Sequence, residues 1–273
     1  MKLKQLWQNN IIWFLLVWIL TVLIFQFSLL IFGVGVLAWV MLLYLTAPGV
    51  FWTYYTSIKF NKQNSEHYLL KAISYQPAIP GPYISLGVIF ARSKRWAEAV
   101  KVFEEAFRLS NKRSGKDVQI MLAISYRESG NYQRALELMT ELLEKGNKTF
   151  ILYINLATTY FKLNRLEEAL ETAEKARSIN LKSPQPVLLM GRIHFETGEF
   201  QKAKDDYLWS IDHMSWPVES YYWLGRAELE LKETETAIEH LKKAVERITD
   251  DPDMSDVPVE EAQEWLNKAG KLV

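Results

Sequence analysis

The sequence contains no cysteine, and its first 65 residues contain no aspartate or glutamate. The absence of cysteine excludes disulfide bonds, thiolate metal ligands and cysteine nucleophiles. The whole chain is formally neutral, with 32 basic and 32 acidic side chains, but residues 1–62 carry four lysines and therefore +4. Residues 63–273 carry the balancing −4. A chain without net basic charge lacks the electrostatic footprint of a nucleic-acid-binding protein, so we expect no nucleic-acid partner.

Motifs of common catalytic and metal sites are also absent. The histidines His67, His194, His213 and His240 form neither H-E-x-x-H nor another metal-binding spacing. The sequence has no phosphate-binding G-x-x-x-x-G-K-[ST] loop and no G-x-S-x-G nucleophile motif. The acidic stretch 250–256 lacks the glycine and the closing glutamate of an EF-hand loop, so we interpret it as a solvated linker. We therefore expect no enzymatic activity, no metal and no cofactor.

One long segment, from Ile11 to Val50, contains no charged residue. A transmembrane helix needs about 20 apolar residues, so this segment is long enough for two. It is too long for a cleavable signal peptide, and a soluble domain of this size could not bury it. The sequence predicts a hairpin of two transmembrane helices within residues 1–60, turning at either Gln26–Ser28 or Gly33–Gly35.

The charges beside this segment predict its orientation. Lys2 and Lys4 precede it, Lys59 and Lys62 follow it, and the segment itself carries none. Cytoplasmic flanks are enriched in lysine and arginine, so both termini are expected on the cytoplasmic side, in our interpretation of a bacterial cytoplasmic membrane. Transport paths usually need ionisable residues within the membrane. The hairpin is therefore interpreted as an anchor in the lipid bilayer.

The remainder of the chain is repetitive. The pattern Tyr83-x-x-Leu86-Gly87-x-x-Phe90 introduces a small residue that returns at intervals of 36, 34, 34 and 34 residues. A second series of alanines keeps the same phase. The first series is Gly87, Ala123, Ala157, Gly191 and Gly225, and the second is Ala99, Ala135, Ala169, Ala203 and Ala237. This pattern resembles the tetratricopeptide-repeat (TPR) family, whose 34-residue unit is a pair of antiparallel helices.

The resemblance implies an all-α chain, with the transmembrane hairpin followed by a TPR α-solenoid of about five repeats. We expect a half-repeat helix at 64–79, five repeats over 80–251 and a capping helix at 258–272. The repeats start near residues 80, 116, 150, 184 and 218. The small residues should mark where the first helix of each repeat closely approaches the second.

Two departures from the family pattern carry structural expectations. Gly130, Asn164 and Gly198 suit a left-handed residue at the end of the first helix of a repeat. Lysine stands at that place in the first and last repeats, which predicts less typical turns there. His194 and Glu228 replace an aromatic residue found in the other repeats, which predicts looser packing in repeats four and five.

In TPR proteins the first helices line a groove that binds partners, and the same positions can be identified here. They offer apolar and aromatic side chains with a row of cations, which favours an amphipathic or acidic–apolar protein segment as partner. The alternative is that these residues pack against each other or the capping helix. The predicted peptide-binding residues are Ile84, Val88, Arg92, Ile120, Ile124, Arg127, Ile154, Phe161, Lys162, Leu188, Arg192, Phe195, Tyr222 and Arg226.

Some TPR proteins hold the carboxylate tail of a chaperone, but isoleucine or valine stands here where that clamp needs lysine and asparagine. A chaperone-tail clamp is therefore not expected. The resulting functional hypothesis is a membrane-anchored scaffold that presents a cytoplasmic TPR groove. The alternative is an accessory or assembly subunit of a membrane complex, with the hairpin itself as an interaction surface.

Overall fold

The structure is a computed structural model that describes residues 62–111, 115–215, 217–252 and 255–272. The predicted membrane hairpin, residues 1–60, lies outside these described residues. The described ranges contain twelve α-helices, none of which combines the length and apolar character needed to cross a membrane. In chain order they are α1 Lys62–Tyr75, α2 Pro80–Arg92, α3 Trp96–Leu109, α4 Gly115–Glu128, α5 Tyr132–Glu144, α6 Phe150–Lys162, α7 Leu166–Ile179, α8 Pro184–Glu196, α9 Phe200–His213, α10 Val218–Glu230, α11 Thr234–Asp250 and α12 Val259–Gly270.

Local sequence signals explain where several of the first helices begin. α2 and α8 start at Pro80 and Pro184, where proline has no intrahelical hydrogen bond to lose. Before α6, the Thr149 hydroxyl accepts a hydrogen bond from the backbone N–H of Leu152 at 3.4 Å. This contact satisfies one of the backbone donors left free at a helix start.

The turn between the two helices of each repeat uses a left-handed residue. The predicted residues Gly130, Asn164 and Gly198 have φ of 89°, 58° and 78°, which confirms the prediction. Lys94 and Lys232 have φ of 56° and 64°, so the expectation of less typical turns there was wrong. The left-handed conformation costs a lysine on the order of 1 kcal/mol. The connection between the two helices imposes this conformation whatever residue occupies the position.

The helices divide into two compact units. The first contains α1, α2 and residues 104–109, and it buries Leu69, Ala72, Leu86 and Phe90 between and around α1 and α2. The second contains residues 95–103 and α4 to α12. From α4 to α12, each helix packs against the next one in sequence.

The recurring small residues lie where two helices of a repeat approach closely. A Cβ atom at Gly191 would lie 2.7 Å from Tyr207 Cε1, and one at Gly225 would lie 2.7 Å from Leu241 Cγ. Real Cβ atoms do not approach other carbons this closely. The prediction that these positions require small residues is confirmed in both repeats, and it explains the glycines there.

Candidate functional site

The predicted peptide-binding residues all lie on the first helices of repeats, namely α2, α4, α6, α8 and α10. Ile84 and Val88 on α2 are half-buried and Arg92 is exposed, and these three belong to the first unit. The other predicted residues belong to the second unit. Among them Ile124, Ile154 and Leu188 are half-buried, and so is Phe161, which lies beside Lys162 near the end of α6.

Two predicted residues do not offer an accessible side chain. Ile120 is only 8% exposed because it packs in the core, and Tyr222 is completely buried. The Tyr222 hydroxyl donates a hydrogen bond of 2.6 Å to Glu261 Oε1 on α12. Its burial and this bond raise the pKa of Tyr222 to about 12. The prediction that these two residues line an open groove is therefore corrected.

Arginines and aromatic rings alternate along the second unit. The Arg192 guanidinium carbon lies 5.3 Å from the ring centre of Phe161 and 4.1 Å from that of Trp223. Arg226, in the next repeat, lies 5.1 Å from Phe195 and 4.1 Å from Trp265. Each arginine thus contacts a phenylalanine of the preceding repeat and a tryptophan two helices further along the chain. We call the set Phe161, Arg192, Phe195, Trp223, Arg226 and Trp265 the arginine–aromatic ladder.

The ladder fixes two positive charges without neutralising them. Within the part of the chain that the structure describes, neither Arg192 nor Arg226 forms an ion pair with a carboxylate. The Nε atom of each is buried and has no hydrogen-bond partner there. Cation–π contacts hold a guanidinium group in place while leaving its terminal N–H groups able to donate. This arrangement can bind an acidic group with little loss of side-chain entropy.

Arg127, another of the four predicted arginines, already has polar partners. Arg127 Nη1 donates to Asn155 Oδ1 at 2.9 Å, and Nη2 lies 2.8 Å from Glu128 Oε1. Its side chain is only 10% exposed. Arg127 therefore joins repeats two and three and is not equivalent to the two ladder arginines.

Phe195 lies on the predicted binding face but also contacts the second helix of its own repeat. Its ring packs edge-on against Phe200 of α9 at 5.4 Å and against Trp223 of α10 at 5.5 Å. Phe195 therefore stabilises the fold as well as lining the predicted face, so removing it would not test binding alone.

Sequence reasoning missed Trp223 as a site residue and treated Trp265 only as part of the capping helix. Trp223, two residues before Gly225, is not at one of the positions predicted to line the groove. Its spacing of three residues from Arg226 places both on one side of a helix, and the guanidinium carbon lies 5.0 Å from the ring. That spacing was the signal available in the sequence.

His194 and Glu228 are buried, and each forms a polar contact with a side chain of the second helix of its repeat. His194 Nδ1 lies 2.7 Å from Asp206 Oδ2, and His240 Nδ1 lies 2.8 Å from Glu228 Oε2. The two pairs occupy the same two repeat positions with acid and histidine exchanged. His194 and Glu228 are 8% and 2% exposed, so looser packing is not observed. Burial raises the pKa of Asp206 despite its contact with His194.

A buried hydroxyl lies near the ladder. Tyr207 is completely buried, and among the described residues its hydroxyl has no hydrogen-bond partner. Burial raises the pKa of Tyr207, while the positive charges of Arg192 and Arg226 act in the opposite direction. The buried hydroxyl is thus a neutral donor on which the charges of both guanidinium groups act. No group of three potential metal ligands occurs among the residues that the structure describes.

Comparison with known proteins identifies the repeats. Two tetratricopeptide-repeat family models match the chain, one over residues 131–182 and the other over residues 188–252. These ranges include α5 to α7, α8 from Leu188 onward, and α9 to α11, the part that carries most of the ladder.

Solved structures agree in fold. A chain of the APC/C hetero-tetramer Cut9–Hcn1 matches with a TM-score of 0.66 and 16% identity, over 86% of this chain, which spans only 45% of that one. TTC0263, a TPR protein of Thermus thermophilus, matches with a TM-score of 0.58 and 21% identity, over 71% of this chain and 100% of that one. YrrB, described as a TPR protein with an unusual peptide-binding site, gives 0.50 and 19%, with 74% and 97% coverage. At such identities the likeness supports the fold alone, whereas the two family models show that residues 131–182 and 188–252 consist of tetratricopeptide repeats.

Proposed function

We propose that the protein is a membrane-anchored interaction scaffold whose TPR repeats bind an amphipathic or acidic–apolar segment of a partner protein. The observation that carries this proposal is the pair of arginines, Arg192 and Arg226, each held between aromatic rings and unpaired with any carboxylate of the described residues. TPR domains serve as protein-binding modules, and no catalytic constellation in the sequence competes with this function.

The chemistry of the partner follows from that of the face. Guanidinium groups donate paired hydrogen bonds to carboxylates, and their charge attracts acidic ligands. The half-buried side chains of Ile154 and Leu188 add apolar surface that a partner can cover. Each Å² of buried apolar surface contributes roughly 25 cal/mol. A partner segment in which acidic and apolar side chains alternate would contact both the guanidinium groups and this apolar surface.

The anchor is the uncharged segment 11–50, and its flanking lysines favour a cytoplasmic repeat domain. Protease added to sealed right-side-out vesicles should leave residues 65–273 intact until the membrane is opened. Digestion of the repeats in sealed vesicles would show the opposite orientation.

The binding proposal is tested by crosslinking in native membranes, followed by affinity measurements with the captured partner. Arg192→Glu should weaken binding by at least about 30-fold, the loss typical of an interface hot spot, and the effect should shrink at high salt. Lys242→Glu is the matched control, because Lys242 is exposed on α11, a second helix. It makes the same charge change away from the face, so it should leave affinity almost unchanged.

Circular dichroism must show equal helix content in the variants. If a captured partner binds the Arg192→Glu chain as tightly as the unchanged chain, the arginine–aromatic ladder is not the binding surface. Integral membrane proteins among the captured partners would then favour the accessory-subunit hypothesis, in which the hairpin is the interaction surface.

A further inference from the structure

The last helix, α12, contacts two of the predicted peptide-binding residues. Glu261 accepts the hydrogen bond from Tyr222, and the Trp265 ring covers the Arg226 guanidinium at 4.1 Å. Glu261 and Trp265 are four residues apart, so they lie on one face of α12. An acidic and an aromatic side chain of the chain itself therefore occupy the part of the face that α10 contributes.

This contact repeats one found between repeats. The Trp223 ring of α10 packs on the Arg192 guanidinium, just as the Trp265 ring of α12 packs on the Arg226 guanidinium. Both tryptophans approach at 4.1 Å, and the two arginines are 34 residues apart. α12, which carries acidic and apolar side chains, thus contacts the last arginine of the ladder as the first helix of a further repeat would.

α12 buries fewer side chains than the two helices against which it packs, α10 and α11. It buries only Ala262 and Ala269, whereas α10 buries seven residues and α11 buries four. Its aromatic residue Trp265 and its neighbour Leu266 are only half-buried. Elements with few buried contacts open locally before the rest of a protein does.

The connection to α12 allows such opening without separation. Between the end of α11 at Asp250 and the start of α12 at Val259, the described residues are mostly exposed, with Val257 as the buried exception. A short tether keeps a released helix at an effective concentration on the order of millimolar, so it competes strongly with free ligands.

We propose that α12 is a tethered occupant of the partner-binding face, and that the partner segment that replaces it is a helix carrying a carboxylate and a tryptophan four residues apart. This inference rests on the proposed function, because it assigns the chemistry of the partner from the chemistry of α12. α12 thereby restricts access to Tyr222 and Arg226 until a competing segment displaces it.

The probe is a fluorescently labelled synthetic peptide of residues 255–272. It is titrated against the full-length chain and against the full-length chain carrying Glu261→Ala and Trp265→Ala, with fluorescence anisotropy as the readout. The substituted chain should bind the peptide at least about ten-fold more tightly than the unchanged chain, because its own α12 competes less. A peptide with the same two substitutions should bind neither chain. Adding Arg226→Glu to the substituted chain should abolish binding of the unchanged peptide.

Hydrogen exchange on the unchanged chain provides a second measurement that needs no folded variant. The amides of α12 should exchange at least about ten-fold faster than those of α11, as expected for a helix that opens locally. Equal protection of α11 and α12 would overturn the proposal, and so would a folded substituted chain that fails to bind the peptide. Neither result would affect the test of the proposed function, which uses Arg192 and a captured partner.

Discussion

A methyl group added at Gly225 should destabilise the protein although alanine is the better helix former. The new Cβ atom would lie 2.7 Å from Leu241 Cγ and 3.1 Å from the Ala237 carbonyl oxygen. Carbon atoms in contact are normally about 3.5–4.0 Å apart, so the overlap with Leu241 is close to 1 Å. Neither atom lies at the free end of a flexible side chain, so relief requires α10 and α11 to move apart.

The expected magnitude combines two opposing effects. Overpacking of a buried contact costs about 1–3 kcal/mol. Replacing glycine by alanine within a helix returns at most about 1 kcal/mol. Gly225→Ala should therefore reduce the free energy of unfolding by roughly 1–2 kcal/mol, which lowers the melting temperature by about 2–8 °C for a domain of this size.

The assay is urea unfolding followed by far-ultraviolet circular dichroism, with Gly81→Ala as the matched control. Gly81 lies in α2, where a Cβ atom would meet nothing within 4 Å, so that substitution should be neutral or slightly stabilising. The chain suggests a rescue as well. Repeat two combines Ala123 with Met139 at the two positions that hold Gly225 and Leu241 in repeat five.

Because methionine adapts its shape, Leu241→Met should recover stability in the Gly225→Ala background but not in the unchanged chain. Purely additive effects of the two substitutions, or a Gly225→Ala chain as stable as the Gly81→Ala chain, would refute the steric explanation for the small residue.

Two further predictions concern the buried acid–histidine pairs. His240→Ala leaves the Glu228 carboxylate, which is 2% exposed, without the partner that lies 2.8 Å away, so the free energy of unfolding in urea titrations should fall by about 3–5 kcal/mol. Adding Glu228→Gln to the same chain removes the unpaired charge and should recover part of that loss. If stability does not recover, the unpaired charge is not the cause of the loss. Burial raises the pKa of Asp206 in the folded state, so the folded state binds a proton more tightly than the unfolded state and stability from this group is lost as pH rises above the ordinary aspartate range. Asp206→Asn should remove that part of the pH dependence above the ordinary aspartate range, and an unchanged slope in unfolding measurements would contradict it.

The repeat period allowed the helical fold to be predicted, because a small residue that recurs every 34 to 36 positions marks where two helices approach closely. The φ preference of the residue at each turn was less informative about the conformation of that turn. Lysine rarely adopts positive φ, yet Lys94 and Lys232 do so because the two-helix connection requires it. At that position the geometry of the repeat prevails over the intrinsic preference of a single residue.

The sequence predicted some of the residues that form the arginine–aromatic ladder. The predicted groove positions include Arg192 and Arg226, because the side of a helix on which a residue lies follows from its position within that helix. They could not show that α12 folds back over Tyr222, because this depends on the course of the linker 251–258. They also missed Trp223, whose contact with Arg192 depends on how far successive repeats are rotated. Contacts within one helix follow from spacing, and contacts between repeats do not.

The ladder depends on an arginine at one repeat position and a phenylalanine at another position of the preceding repeat, and this pair occurs twice in the sequence. Arg192 follows Gly191 in a repeat preceded by Phe161, and Arg226 follows Gly225 in a repeat preceded by Phe195. In repeats two and three the same pairs of positions hold Ala91 with Ile124 and Arg127 with Thr158, and neither pair could form a cation–π contact. At this position of repeats two to five, arginine thus occurs only where the preceding repeat supplies a phenylalanine to hold it.

An arginine present only for solubility would not depend on the residue in the previous repeat. The pairing indicates instead that each guanidinium is held for its orientation, at distances of 5.3 and 5.1 Å from the two phenylalanine rings. Orientation matters for donating hydrogen bonds to a defined acceptor, whereas it is irrelevant to a freely solvated charge. The arginine–aromatic ladder therefore extends from α6 to α12, and under the proposed function the acidic groups of a partner would bind there.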